Sequence, residues 1–158
     1  MAAETKSEQV AATIRGFRQA DALAATRILS EAPEAANWPE ESYREALTWP
    51  GAVAFVSEVA GKVTSFILGR CVADEAEILN LAVVPPARRR GEGGALLRSA
   101  LEEFRSRAVS RVFLEVRESN EIGIAFYTKH GFLKTGRRAS YYREPEEAAV
   151  VMEKKLMQ

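Results

Sequence analysis

A chain of 158 residues, 47% apolar and 28% charged, has the composition of an ordinary globular protein and enough length for one sizeable core. Lys and Arg together number 22, as do Asp and Glu, so net charge offers nothing for nucleic acid or an anionic membrane, and no apolar run is long enough to span a bilayer. The single cysteine, Cys71, excludes an intramolecular disulfide and a cysteine-based metal cluster.

Residues 1–11 read as a polar, mobile tail without a basic-then-apolar signal, ahead of one domain over 12–158 in a cytoplasmic protein. Thr13 to Phe17 is a short strand. Gln19 to Glu31 carries Leu23, Ile28 and Leu29 on an apolar stripe, with Asp21 near its start, and forms the first helix. A loop through Trp38 leads to a second short helix from about Pro39 to Trp49, which Pro50-Gly51 ends. Ala52 to Val59 and Val63 to Val72 are strands around the turn Ala60-Gly61-Lys62. Asp74 to Glu77 is a turn into the apolar run Ile78 to Val84, which Pro85-Pro86 closes. A basic, glycine-rich turn follows, and then a helix on which Leu97, Leu101, Phe104 and Ala108 are spaced three and four apart. Arg111 to Val116 is a strand and Asn120 to His130 a helix that stops at Gly131. Phe132 to Ala139 and Ala148 to Leu156 pair across the loop Ser140 to Glu146. The expected fold is α/β, a mixed and mostly antiparallel sheet of about seven strands with about four helices. The crossover helix between two buried strands implies a parallel central pair.

The turn before the long helix invites a phosphate. The first N–H groups of a helix have no intrahelical partners, and the dipole adds positive potential there. Gly91, Gly93 and Gly94, around Glu92 and before Ala95, remove the Cβ atoms that would hold a phosphate away from the backbone, and Arg88, Arg89 and Arg90 add positive charge. A Walker A loop is excluded because Ala95 follows Gly94, and a dinucleotide fingerprint because Leu96 stands where its third glycine belongs. Glu115 is out of place in the apolar strand Val112 to Val116 unless it has a partner. Burial tends to raise a carboxylate's pKa and suits it to accept a proton, whereas Arg117 or a backbone group could equally satisfy it. Tyr127, within the helix after Asn120, is either a proton donor or a packed core residue. Asn120 is the N-cap of that helix. Asn80 interrupts a buried strand, near its edge. Tyr141 and Tyr142, in the last loop, are packing residues on their pattern alone. His130 sits where a cation is mildly favoured and reads as structural, and Cys71 as buried and inert.

Arg88-Arg89-Arg90-Gly91-Glu92-Gly93 resembles the acetyl-CoA pyrophosphate loop, Arg/Gln-x-x-Gly-x-Gly/Ala, of the GNAT superfamily of N-acetyltransferases. The stretch Ser119-Asn120 to Ala125, Tyr127, Gly131 and Phe132 resembles the family's second motif. Leu114-Glu115-Val116-Arg117 and Arg138-x-x-Tyr141-Tyr142 are similar to the RimI branch, which acetylates protein N-termini, typically the alanine of a ribosomal protein. The resemblance implies the GNAT fold and an acetyl-CoA-dependent transfer to an amine in a ternary complex, with no acyl-enzyme and no metal. It makes Glu115 the base and Tyr127 the acid for the leaving thiolate. It assigns the pantetheine arm to Asn120, to Tyr127 and to the backbone of Leu81, Ala82 and Val83. It sets Trp38, Asn80, Tyr141 and Tyr142 on the acceptor side. The acceptor it favours is a protein N-terminus, a ribosomal protein among the candidates. A small amine or a lysine side chain is the enzymatic alternative. A regulatory module that only binds acyl-CoA is the other, and it would need neither Glu115 nor Tyr127. No nucleic acid or membrane partner is expected, and the choice between monomer and dimer is open.

Overall fold

The computed structural model describes residues 11–32, 35, 38–88 and 91–156. The expected tail, apart from its last residue, therefore lies outside the described residues, as do Arg89 and Arg90. Seven strands form one mixed sheet in the order β1-β2-β3-β4-β5-β7-β6. They are β1 Thr13–Gly16, β2 Ala52–Val59, β3 Lys62–Val72, β4 Glu75–Val83, β5 Arg111–Arg117, β6 Leu133–Arg143 and β7 Glu146–Lys155. The helices are α1 Ala22–Ser30, α2 Glu40–Ala46, α3 Glu92–Ser106 and α4 Glu121–Lys129. Among the described residues only β4 and β5 pair in parallel, and α3 is the crossover between them. The expected fold class is what the chain adopts.

The sheet is covered on both faces. Leu97, Phe104 and Leu101 of α3 pack on Ile67, Ile78, Val112 and Leu114. The fully buried Phe104 ring alone contributes on the order of 2–3 kcal/mol of transfer free energy. On the other face Ile28 of α1 and Tyr43 of α2 pack on Val56, Phe66 and Leu68.

Several boundaries differ from the expectation for tertiary reasons. Gln19–Asp21 is a single 3₁₀ turn before α1, and Leu23 points to solvent while Ala22, Ala25, Ile28 and Leu29 make the buried stripe. Small alanines let α1 approach the sheet closely, a signal that a search for large apolar residues misses. Strand β4 starts at Glu75, so Glu75 to Glu77 is strand and not turn; only Ala76 of the three faces the core. Helix α3 ends before Ala108, which is exposed with φ 61°, and Val109 takes the buried place. Cys71 is half-buried, not fully buried. Tyr141 and Tyr142 lie in strand β6 and not in a loop, because pairing with β7 continues to Arg143↔Glu146.

Two irregularities shape the site. Between β3 and β4 the register passes from Gly69↔Ile78 to Leu68↔Asn80, so Leu79 is an extra residue, a β-bulge. The bulge reverses which face alternate residues take. Ile78 packs under α3, whereas Asn80 and Ala82 turn to the α1–α2 layer. The β4–β5 ladder runs from Glu75↔Arg111 to Ile78↔Leu114 and stops. Beyond it, Leu81 to Val83 stay bonded to β3 and Glu115 to Arg117 to β7. The two strands part like a V, and the facing edge of β4 is left without a strand partner.

Candidate active site

The glycine-rich end of the V is built at the start of α3. Gly91 is its N-cap in a left-handed conformation, φ 82°, which favours glycine, and among the described residues no side chain caps the helix. The first intrahelical donor is the Ala95 N–H, bonded to the Gly91 carbonyl at 3.0 Å. The N–H groups of Glu92, Gly93 and Gly94 are thus left facing outward. A Cβ on Gly93 would stand 3.6 Å from both Phe126 and Val83, so this glycine lines the floor where β4, α3 and α4 meet. The Arg88 guanidinium folds back and donates from Nε to the Val83 carbonyl at 3.1 Å.

Glu92 does not face the phosphate turn. Its side chain is buried, and its carboxylate accepts from Thr64 Oγ1 at 2.9 Å and Ser65 Oγ at 3.0 Å. It ties the first turn of α3 to β3, leaving only its backbone to the turn. Nothing in the local sequence marks this, because Thr64 and Ser65 lie far upstream.

The middle of the V is α4. Asn120 Oδ1 accepts from the Gly123 N–H at 2.9 Å and so caps the helix, as expected. Tyr127 is held in an aromatic cluster, its ring 5.1 Å from Phe126 and 5.6 Å from Phe132. Burial, with Tyr142 nearby, raises its phenol pKa, so the group stays protonated through the neutral range. His130, at the end of α4, leans on Phe126 with the rings tilted at 54° and lies against Gly94. Partial burial and the cations Arg98, Lys129 and Lys154 lower its pKa, so the protonated form expected from its helix end is disfavoured.

The open end of the V gathers charge. Glu115 Oε1 lies 3.2 Å from Arg138 Nε, and the Glu115 side chain is 13% exposed. Arg117, the partner suggested by sequence proximity, instead ion-pairs with Glu147 at 3.4 Å and covers the Tyr142 ring at 4.2 Å. Tyr141 leans on the Glu115 carboxylate; hydrogen bonding to it pushes the phenol up to about 12. Among the described residues no donor meets Glu115 Oε2, which is buried, within ordinary hydrogen-bond limits. Burial, then the charge of Glu115, pushes Tyr142 up to about 12 as well. The two tyrosines stand edge to face at 5.0 Å. Their presentation rests on a bulge: from Arg138 to Tyr142 strand β6 advances four residues while β7, from Ala149 to Glu147, advances two, with Ser140 at φ 54°.

The remaining expected acceptor residues are tied into the fold. Asn80 is buried in the middle of the sheet, not near a strand's edge, and donates from Nδ2 to Tyr43 Oη at 2.9 Å. Trp38, just ahead of α2, is half-buried, its ring 5.5 Å from Tyr43 and 6.4 Å from Trp49. Trp38, Tyr43 and Asn80 therefore connect the first loop to the β4 bulge by packing. The sequence alone does not single out Glu77 as a member of the charged cluster, since it stands in a stretch that reads as a turn; Arg138 stands in the motif with Tyr141 and Tyr142, but the sequence gives it no partner.

The comparisons agree with this geometry. Residues 23–132 match the acetyltransferase (GNAT) family. The ribosomal protein bS18-alanine N-acetyltransferase of Escherichia coli is 39% identical over 94 residues, 58% of this chain, and the chain spans 64% of that relative's length. The crystal structure of the ribosomal-protein-S18-alanine N-acetyltransferase from Escherichia coli superimposes with a TM-score of 0.83 at 31% identity, covering 94% of this chain and 96% of that one. Ard1 from Thermoplasma volcanium superimposes with a TM-score of 0.86 at 33% identity, covering 94% of this chain and all of that one. By the match over most of its length and by the V opened between β4 and β5, the chain belongs to the acetyltransferase (GNAT) family.

Proposed function

We propose that the protein transfers the acetyl group of acetyl-CoA to the terminal α-amine of a protein chain, with a ribosomal protein as the acceptor class its relatives suggest. The observation that carries this is the line of groups along the V. Outward N–H groups at Gly91 to Gly94 stand at one end, Tyr127 in the middle, and Glu115 with Tyr141 and Tyr142 at the other. The diphosphate would lie on the start of α3 and the pantetheine arm along the unpaired edge of β4 at Leu81 to Val83. The Asn120 amide Nδ2 remains for the same arm while Oδ1 caps α4. The incoming ammonium loses one proton to Glu115. Its nitrogen forms a bond to the thioester carbonyl carbon, the carbon–sulfur bond breaks, and the departing sulfur takes the Tyr127 proton. The second proton on nitrogen then restores the phenol, so one proton is released for each amide formed.

Two expected results test this. Acetyl-CoA at a hundred times its Kd should stabilise the protein by about 2.7 kcal/mol, a rise in Tm of about 5–10 °C. Gly91→Val, which forces a β-branched residue to a left-handed φ, should abolish that shift beyond any change in its own ligand-free Tm. An unshifted wild-type melt at millimolar acetyl-CoA overturns the cofactor assignment. For the acceptor, short alanine-first peptides should be acetylated, and blocking the α-amine should end the reaction even when an internal lysine is free. Equal acetylation of the blocked peptide transfers the activity to side-chain amines, and turnover confined to polyamines transfers it to small amines.

A further inference from the structure

Glu92 belongs to the glycine-rich turn by position, but its side chain acts inside the protein. It is the first residue of α3, next to the exposed Gly91, and is itself only 6% exposed. Among the described residues its carboxylate meets two neutral hydroxyls. Thr64 Oγ1 donates to it at 2.9 Å and Ser65 Oγ at 3.0 Å, both from β3. Two hydroxyls do not offset a buried negative charge. The positive end of the α3 dipole, at the same turn, does.

That end of α3 is also where the diphosphate is proposed to sit. The N–H groups of Glu92, Gly93 and Gly94 face outward there, while the Glu92 carboxylate lies on the inward side, against β3. One turn of helix would therefore stand between two anions. Salt screens a buried charge weakly, so the repulsion reaches the outer side. Anchoring α3 to β3 does not require the charge. A glutamine amide could meet the same two hydroxyls, accepting from one and donating to the other. What the carboxylate adds to the anchor is one negative charge beneath an anion site.

We infer that the Glu92 carboxylate is a counterweight to the outward N–H groups: it weakens the hold on the diphosphate and so speeds the departure of CoA. The backbone of Glu92 attracts the ligand and its side chain opposes it. The diphosphate is common to acetyl-CoA and CoA, so a grip on it is equal in substrate and product. Such uniform binding lowers KM without raising kcat, and made tighter it delays product release. A fixed negative charge on the inner side relaxes the grip without removing a single N–H donor. This inference rests on the acetyl-CoA half of the proposed function and is independent of the acceptor.

Calorimetric titration of the full-length protein with CoA tests this. Glu92→Gln should lower the CoA Kd about tenfold, the scale of one charge acting across a turn of helix. CoA dissociation, followed by stopped flow, should slow by a similar factor. The gain should persist with dephospho-CoA, which keeps the diphosphate and lacks the 3′-phosphate. A merely structural anchor gives the opposite sign, since a loosened turn binds worse. A CoA Kd that is equal or raised in Glu92→Gln overturns the inference. So does a gain that disappears with dephospho-CoA, because the charge would then act on another phosphate. If Glu92→Gln does not melt cooperatively, Glu92→Met, uncharged and of similar length, has to show the same sign. A wild type that binds no CoA at millimolar concentration overturns the cofactor assignment instead, whereas a wild type that binds and a variant that binds no tighter overturn only the counterweight.

Discussion

Glu115→Gln is expected to slow peptide acetylation by about 10²–10⁴-fold at neutral pH, the usual span for loss of a general base. Glutamine keeps the size of the side chain and its place on β5 but cannot take the amine's proton. The loss should fall on kcat, since the proposed cofactor grip is at the start of α3, at the other end of the V from Glu115. Acetyl-CoA affinity, read by titration calorimetry, should stay within about twofold. Stability should also hold: the partner Arg138 is mostly exposed, and ion pairs of that kind contribute less than about 1 kcal/mol. The measurement is kcat across pH for both proteins with matched melting curves. A rate equal to wild type at every pH would reduce Glu115 to a carboxylate that only anchors Arg138.

What the sequence made legible were residues whose type contradicts their place. A glycine-rich basic turn between an apolar strand and a helix announces an anion site, and Gly91 indeed sits at φ 82° as the helix cap. Glu115 in an apolar strand and Asn120 ahead of a helix stand out for the same reason. What stayed hidden depends on register between distant strands. The Leu79 bulge has no composition of its own; it exists because Leu68 meets Asn80 while Gly69 meets Ile78. With it are set the parting of β4 and β5 and the face on which Asn80 lies. Glu77 and Arg138 are 61 positions apart in the chain and both face Glu115 only after four strands, β4, β5, β7 and β6, are laid side by side. Glu92 shows the converse: a residue inside the right motif whose side chain is drawn away by Thr64 and Ser65. The stretch from Ser140 to Glu146 reads as a loop because it is polar and holds Pro145, yet pairing with β7 makes its first half strand.

Tyr127→Phe is the other substitution expected to cost about 10²-fold or more in kcat, and its pH dependence separates chemistry from packing. Phenylalanine preserves the ring contacts to Phe126 and Phe132, so the aromatic cluster and the melting temperature should change little. What is lost is the proton for the leaving sulfur. An ordinary thiol has a pKa near ~8.5, so at pH 7 a departing thiolate is unstable without a donor, while above pH ~9 it can leave bare. Burial raises the Tyr127 phenol above its usual value, so in the wild type the donor is still protonated at that pH. The ratio of wild-type to variant rates should therefore be largest near pH 7 and shrink as pH rises toward 9.5, because the variant gains and the wild type does not lose. A deficit constant across that range would mean that the hydroxyl positions the thioester without transferring a proton, and no deficit at all would return Tyr127 to the core.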